Sequence, residues 1–171
     1  MTHKVLFSEA DIAARVETIA AEIAAAPLKP DYAAAVLVGA FVFTADLLRA
    51  LARRGLSLPV EFLWLRSYGQ NRSGAAEVAA LVAPTERVRT KTVLLIDGVL
   101  DRGATLVTAS DLLRDRGAAA VLTAVAVDKD RPDALLKADY ACFSNVSGFI
   151  VGYGMDDASK DRGLPYIAKV D

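Results

Sequence analysis

Val93-Leu94-Leu95-Ile96 is an unbroken apolar run that ends at Asp97 and a glycine. A strand with one wet face alternates apolar and polar side chains. A strand without alternation is buried on both faces, which in water calls for a parallel sheet covered by helices. Two further runs, Ala33 to Val38 and Ala120 to Val127, have the same character. Helical segments follow the runs at Ala33 and Val93. Phe41 to Arg54 stops at Gly55, and Ala104 to Arg116 stops at Gly117. Strand, helix and strand between Thr92 and Val127 make a βαβ unit, for which a right-handed crossover is expected.

Upstream, Ser8 suits an N-cap, with Glu9 and Asp11 in the positive first turn. Ile12, Val16, Ile19 and Ile23 give that helix one apolar face, and Pro27 and Pro30 end it. Short strands are expected at Val60 to Leu65, Tyr140 to Phe143 and Phe149 to Tyr153. Ser67 to Ala76 is polar, glycine-bearing and aperiodic, and reads as a mobile loop. No repeat or composition break divides the chain. The expectation is an α/β fold in one domain over residues 1–171, an open, mostly parallel twisted sheet flanked by helices.

Charge and composition narrow the chemistry. The 171 residues carry 20 Lys plus Arg against 21 Asp plus Glu, a net charge of −1. General nucleic-acid binders show a basic excess, so no nucleic-acid partner is expected. The single Cys142 excludes a disulfide framework and a cysteine-rich zinc site. The single His3, placed near an N-terminus expected to be mobile, argues against a histidine triad or a two-histidine metal site. No uncharged apolar run approaches the ~18 residues of a membrane span, and no signal-like apolar segment is seen. A cytoplasmic location without membrane contact is expected.

In open parallel sheets, ligands sit beyond the carboxyl ends of the strands. Here the informative end is Val93 to Leu106: a buried strand, an acidic turn containing Asp97 and Asp101, then Gly103 and Thr105 at a helix start. Helix N-termini hold phosphate through free amides and the helix dipole. Gly103 lets backbone approach a ligand, and Thr105 adds a hydroxyl. The carboxylates suit ribose hydroxyls, a proton or magnesium. Phosphate donors beside carboxylates imply a sugar phosphate, although an aspartate at a strand end also serves simply to cap the next helix.

This stretch resembles the phosphoribosyl-pyrophosphate signature of the type I phosphoribosyltransferases: a hydrophobic strand, two acids, two apolar residues, then Asp-Thr/Ser-Gly-x-Thr. The likeness runs from about Leu37 to Arg162 and is greatest to the hypoxanthine-guanine branch. Leu37-Val-Gly39 is similar to its pyrophosphate loop, and Arg66-Ser-Tyr68 to the start of its flexible catalytic loop. Val127-Asp-Lys129 resembles its purine-reading strand end. Phe149-Ile-Val-Gly-Tyr-Gly-Met-Asp156, with Arg162 beyond, resembles its Phe-x-Val-Gly-Tyr-x-x-Asp segment.

The resemblance implies a fold with a small hood and a flexible loop. It implies a magnesium-dependent pentosyltransferase of purine salvage that moves ribose 5-phosphate from phosphoribosyl pyrophosphate to a 6-oxopurine. It also implies roles. Asp101 would be the general acid/base at purine N7, the catalytic residue. Asp97, Arg102, Gly103, Ala104 and Thr105 would hold the 5′-phosphate and ribose. Lys129, Phe149 and Ile150 would bind the purine, with Lys129 donating to O6 and Phe149 stacking on the ring. Val38, Gly39 and Arg162 would bind pyrophosphate, with a cis, non-proline peptide bond just before Gly39. Ser67 and Tyr68 would close over the site, and Asp156 would meet the Mg2+ shell. A homodimer or homotetramer is implied. For Lys129 the plainer reading is a solvated lysine, for Phe149 a core residue, and for Asp156 and Arg162 a surface ion pair.

Two positions of the sugar-phosphate motif depart from the family pattern. Gly98 stands where the second acid belongs, and Arg102 where Thr or Ser is usual; Val38 also replaces a frequent Lys. Loss of a charged hydrogen bond to ribose weakens binding by ~1.5–3 kcal/mol. Arg102 would strengthen the phosphate cradle, crowd it, or pair with Asp97. These changes leave open a second reading, a catalytically weakened protein of the same fold that binds phosphoribosyl pyrophosphate or nucleotide to regulate a partner.

Overall fold

Apolar strands and the helices between them assemble as a six-stranded sheet in the order β4-β3-β2-β5-β6-β7. The computed structural model describes residues 3–70 and 76–170, and of 66–70 and 76–78 the backbone alone. The strands are β2 (Tyr32–Leu37), β3 (Val60–Gln70), β4 (Ala76–Val82), β5 (Thr92–Leu100), β6 (Ala120–Asp128) and β7 (Tyr140–Phe143). All neighbours pair in parallel except β3 with β4. α1 (Glu9–Ala25) and α2 (Phe41–Ala52) cover one face, and α3 (Ala104–Asp115) the other. A second sheet, β1-β9-β8, is built from β1 (His3–Phe7), β8 (Phe149–Val151) and β9 (Ile167–Val170). Phe7 stacks on Phe143, centroids 3.7 Å apart, and ties this sheet to β7.

The helices follow their sequence signals. Ser8 and Asp11 form a reciprocal capping box on α1, and Ile12, Val16, Ile19 and Ile23 are buried. Past α3, Gly117 takes φ +87°, and its N–H donates to the Arg114 carbonyl.

Several boundaries differ from expectation. Asp97 to Leu100 is not a turn. It continues β5, because Asp97, Val99 and Leu100 keep their register with Val125, Val127 and Asp128 of β6. The pairing of β5 with β2 stops at Ile96. Residues 67–70 and Ala76 are likewise strand rather than loop: Ser67 pairs with Val78 and Tyr68 with Glu77. Residues 71–75 of the expected loop lie outside the described residues. β8 ends at Val151, since Gly152 turns at φ +92° and pairs with Met155. His3 is not in a free terminus; it pairs with Val170 across β1 and β9.

Candidate active site

Beyond Ile96 the strand β5 stays with β6 and parts from β2. The connection from β2 runs to β3 on one side, and that from β5 runs to β6 on the other. The crevice at such a switch point is where open α/β sheets bind ligands. α3 begins there, and its N-cap Gly103 supplies no side-chain hydrogen bond, in contrast to Ser8 on α1. First-turn amides have no partner within a helix, so those of Ala104 to Leu106 are placed for an anion. Gly103 sits at φ +87°, and a Cβ there would meet Leu100 Cδ1 at 3.0 Å. The sequence therefore needs glycine at this turn for two reasons.

Two cavities adjoin along Asp97, Val99, Asp101 and Thr105. The smaller, about 390 Å³, is lined by residues 101–106 and Arg131, with the first-turn amides of α3 at its wall. The larger, about 420 Å³, takes in Val38, Gly39, Lys129, Phe149, Ile150, Asp156 and Arg162. One crevice thus collects every expected site residue except Ser67 and Tyr68. Those two lie on β3, and their side chains are outside the described part of the structure. The cis peptide bond is Leu37–Val38, one bond before Val38–Gly39.

Asp101 follows the end of β5 and meets two cations. Lys129 Nζ donates to its Oδ2 at 2.7 Å, and Arg131 Nε lies 3.3 Å from its Oδ1. Lys129 is not a solvated surface lysine: only 14% of its side chain is exposed. The preceding Asp128 is buried and accepts the Asp130 N–H at 2.8 Å, which sets the turn that aims Lys129 inward. Phe149 is not a core residue either. It is 52% exposed at the rim, a free aromatic face for a flat ring, while the neighbouring Ile150 is buried. Asp97 accepts the Gly98 N–H at 2.7 Å, and loss of water around its carboxyl pushes its pKa up to about 7.

Arg102 lines the smaller cavity and does not pair with Asp97. Its Nε lies 3.2 Å from Asp133, which also binds Arg131 Nε at 2.8 Å. Arg131 was not legible as a cavity residue, nor Asp133 as its partner, because a charged run reads as a solvated face. Arg162 and Asp156 do form an ion pair, at 2.6 Å, but within the crevice wall. Arg162 also donates to the Gly154 carbonyl, and Asp156 Oδ2 accepts the Ser159 N–H. Cys142 is buried, and its thiol is pushed up to about 12 by desolvation, so it is no nucleophile.

Among the described residues no three metal-ligating side chains cluster. An all-protein metal cage therefore does not fit. One carboxylate, Asp156, beside a polyphosphate-sized cavity does fit Mg2+, which is ordinarily held by one or two carboxylates plus substrate phosphates.

Sequence comparison agrees with this geometry. The phosphoribosyl transferase domain family matches residues 6–158, and the chain belongs to that family. Among its curated relatives is the hypoxanthine-guanine phosphoribosyltransferase of Aquifex aeolicus, 33% identical over 98% of this chain and 94% of that protein. The hypoxanthine phosphoribosyltransferase of Escherichia coli is 33% identical over 99% and 96%. Among solved structures, the hypoxanthine phosphoribosyltransferase of Trypanosoma cruzi in complex with the product IMP superposes with a TM-score of 0.87. It is 30% identical and covers 98% of this chain and 94% of that one.

Proposed function

We propose that this chain is a purine phosphoribosyltransferase of the hypoxanthine-guanine type. It would transfer ribose 5-phosphate from phosphoribosyl pyrophosphate to a 6-oxopurine, giving a nucleoside monophosphate and pyrophosphate in purine salvage. The observation that carries this reading is the Lys129–Asp101 pair at the mouth of an uncapped helix N-terminus. A donor for a 6-oxo group and an acceptor for a ring proton lie 2.7 Å apart beside a phosphate cradle.

In this reading the amides of Ala104 to Leu106 and Thr105 hold the 5′-phosphate, and Asp97 accepts from a ribose hydroxyl. Lys129 donates to O6 and has no acceptor for a 6-amino group, so adenine is rejected. Phe149 stacks on the base over Ile150. The bond from C1 to the purine nitrogen forms as the bond to the pyrophosphate oxygen breaks. Pyrophosphate leaves with the electron pair, and the N7 proton passes to Asp101. The backbone at Val38 and Gly39, with Arg162, receives the leaving group. Asp156 would hold Mg2+, which would neutralise charge on the pyrophosphate. Ser67 and Tyr68 exclude water when closed.

The same reading includes one functional domain over residues 1–171, a cytoplasmic location and small-molecule substrates, with neither nucleic acid nor membrane as partner. No described helix is long and apolar enough to cross a membrane. A homodimer or homotetramer is supported by an exposed apolar stripe, Val60, Phe62 and Trp64, on one face of β3.

Gly98 supports the second reading, a weakened, ligand-binding regulator, because one ribose carboxylate is absent. Nucleotide formation from hypoxanthine, guanine, xanthine and adenine, with phosphoribosyl pyrophosphate and magnesium, separates the two. Product with the 6-oxopurines and none with adenine is expected. Nucleotide binding without product from any base would give the answer to the regulator.

A further inference from the structure

Three glycines from three parts of the chain meet at one carbonyl. A Cβ built on Gly98 of β5 would lie 2.9 Å from the Gly39 oxygen and 3.2 Å from its carbonyl carbon. A Cβ built on Gly154, past β8, would lie 2.5 Å from the same oxygen. Neither contact is one that a side chain tolerates, and in both cases the obstacle is backbone. A Cβ built on Gly39 itself would meet open space, so the constraint at this loop lies at its carbonyl. The opposing amide of Gly98 is already committed to the Asp97 carboxylate at 2.7 Å.

We propose that Gly98 and Gly154 are positioning residues for the Val38–Gly39 loop: by lacking side chains they let its carbonyl seat between them, and that seat sets where the loop meets a polyphosphate. The proposal rests on the assignment of this loop to pyrophosphate. It gives the departure at Gly98 a physical content. The second acid of the family pattern is not merely absent; its Cβ position is occupied by the loop's approach. Restoring the acid would displace the Gly39 carbonyl and set a new carboxylate beside Asp97. Gly98→Asp should therefore weaken the site, although it restores the family pattern.

The effect should fall on one side of the crevice. Pyrophosphate and phosphoribosyl pyrophosphate meet the Gly39 loop, whereas IMP occupies the α3 cradle and the Lys129–Phe149 pocket. In the test, magnesium pyrophosphate and IMP are titrated calorimetrically into the wild type, Gly98→Ala and Gly98→Asp, with thermal melting alongside. Gly98→Ala should weaken pyrophosphate by about tenfold, the scale of a sub-ångström misplacement of a binding group. IMP affinity should stay within about twofold and Tm within a few degrees. Gly98→Asp should lose at least as much for pyrophosphate. Where turnover is measured, KM for phosphoribosyl pyrophosphate should rise while KM for hypoxanthine holds. Unchanged or tighter pyrophosphate binding in either variant would overturn the proposal. An equal loss for IMP, or a wild type that takes up no magnesium pyrophosphate, would do the same. A wild type that binds both ligands but makes no nucleotide removes the catalytic reading and leaves this one intact.

Discussion

Asp101 is held by two cations, Lys129 and Arg131, both of which line the crevice. In the proposed reaction Lys129 would turn to a purine oxygen and leave Asp101 to the ring proton. If it takes the N7 proton, Asp101→Asn should lower kcat by about 10²- to 10⁴-fold, the usual worth of a general acid or base. IMP binding should change little, and equal losses in turnover and affinity would sink the proton-transfer role. Asp97 makes a different prediction. Its ordinary pKa is 3.8, and in the fold it is pushed up to about 7 by desolvation. Between those values the folded chain keeps a proton that the unfolded chain has released. Stability attributable to this group therefore falls as pH rises from about 4 to 7, and it is flat above that. Asp97→Asn carries no titrating proton yet still accepts from the Gly98 N–H. Relative to the wild type it should become more stable across that window, by on the order of 2 kcal/mol at pH 7. Denaturant melts at pH 4.5 and 7.5 read this directly, and a difference that does not grow with pH counts against desolvation as the cause of the raised pKa.

At the scale of elements, the start of α3 depends on its N-cap glycine. Gly103 serves the cradle, and its φ of +87° is one that a side chain enters only under strain. Gly103→Ala should cost about 1 kcal/mol of stability. It should also weaken IMP and phosphoribosyl pyrophosphate together, since both carry the 5′-phosphate. A loss confined to phosphoribosyl pyrophosphate would mean that the cradle lies elsewhere. This element was legible in the sequence because its signals are local: an apolar run, an acid, a glycine and a helix in fixed succession. β2, α2, β6 and the ends of α1 were legible for the same reason. β1, β4 and β9 were not. β1 and β9 are short and pair across the length of the chain, His3 opposite Val170, whereas β4 is an edge strand paired with the neighbouring β3, and no local period announces any of them. The length of β5 was misjudged on similar grounds. Asp97 and Gly98 read as a turn, but the ladder to β6 outlasts the local preference. Within the site, Lys129 and Asp101 were found through a motif. Arg131 and Asp133 were missed because their pairing depends on a turn at Asp128 to Asp130 that only the fold defines.

At the scale of the whole molecule, the face of the sheet that carries α1 and α2 is left partly open. Ala33, Ala35 and Leu37 of β2 stand beside Val60, Phe62 and Trp64 of β3 in register. Alanines at the first two positions let helices settle closely over β2. The three larger side chains on β3 remain 37%, 43% and 43% exposed, and Phe41 at the start of α2 is 42% exposed. Scattered apolar side chains are ordinary on a surface, but a stripe of alternate positions on one strand is an ordered apolar strip. Trp64 pairs with Leu37, next to the Val38–Gly39 loop, so whatever covers the stripe comes close to that wall of the crevice. A second copy of the chain is the occupant that a homo-oligomer would supply. Phe62→Glu with Trp64→Glu places two charges on that strip and leaves the buried side of β3 untouched. Light scattering should give a dimer or larger for the wild type and a lower mass for the double variant at the same concentration. IMP binding should survive in that variant, because none of the residues proposed for it, on α3 and at Lys129 and Phe149, belongs to β3. An assembly whose mass is unmoved by both glutamates would place the interface on another face.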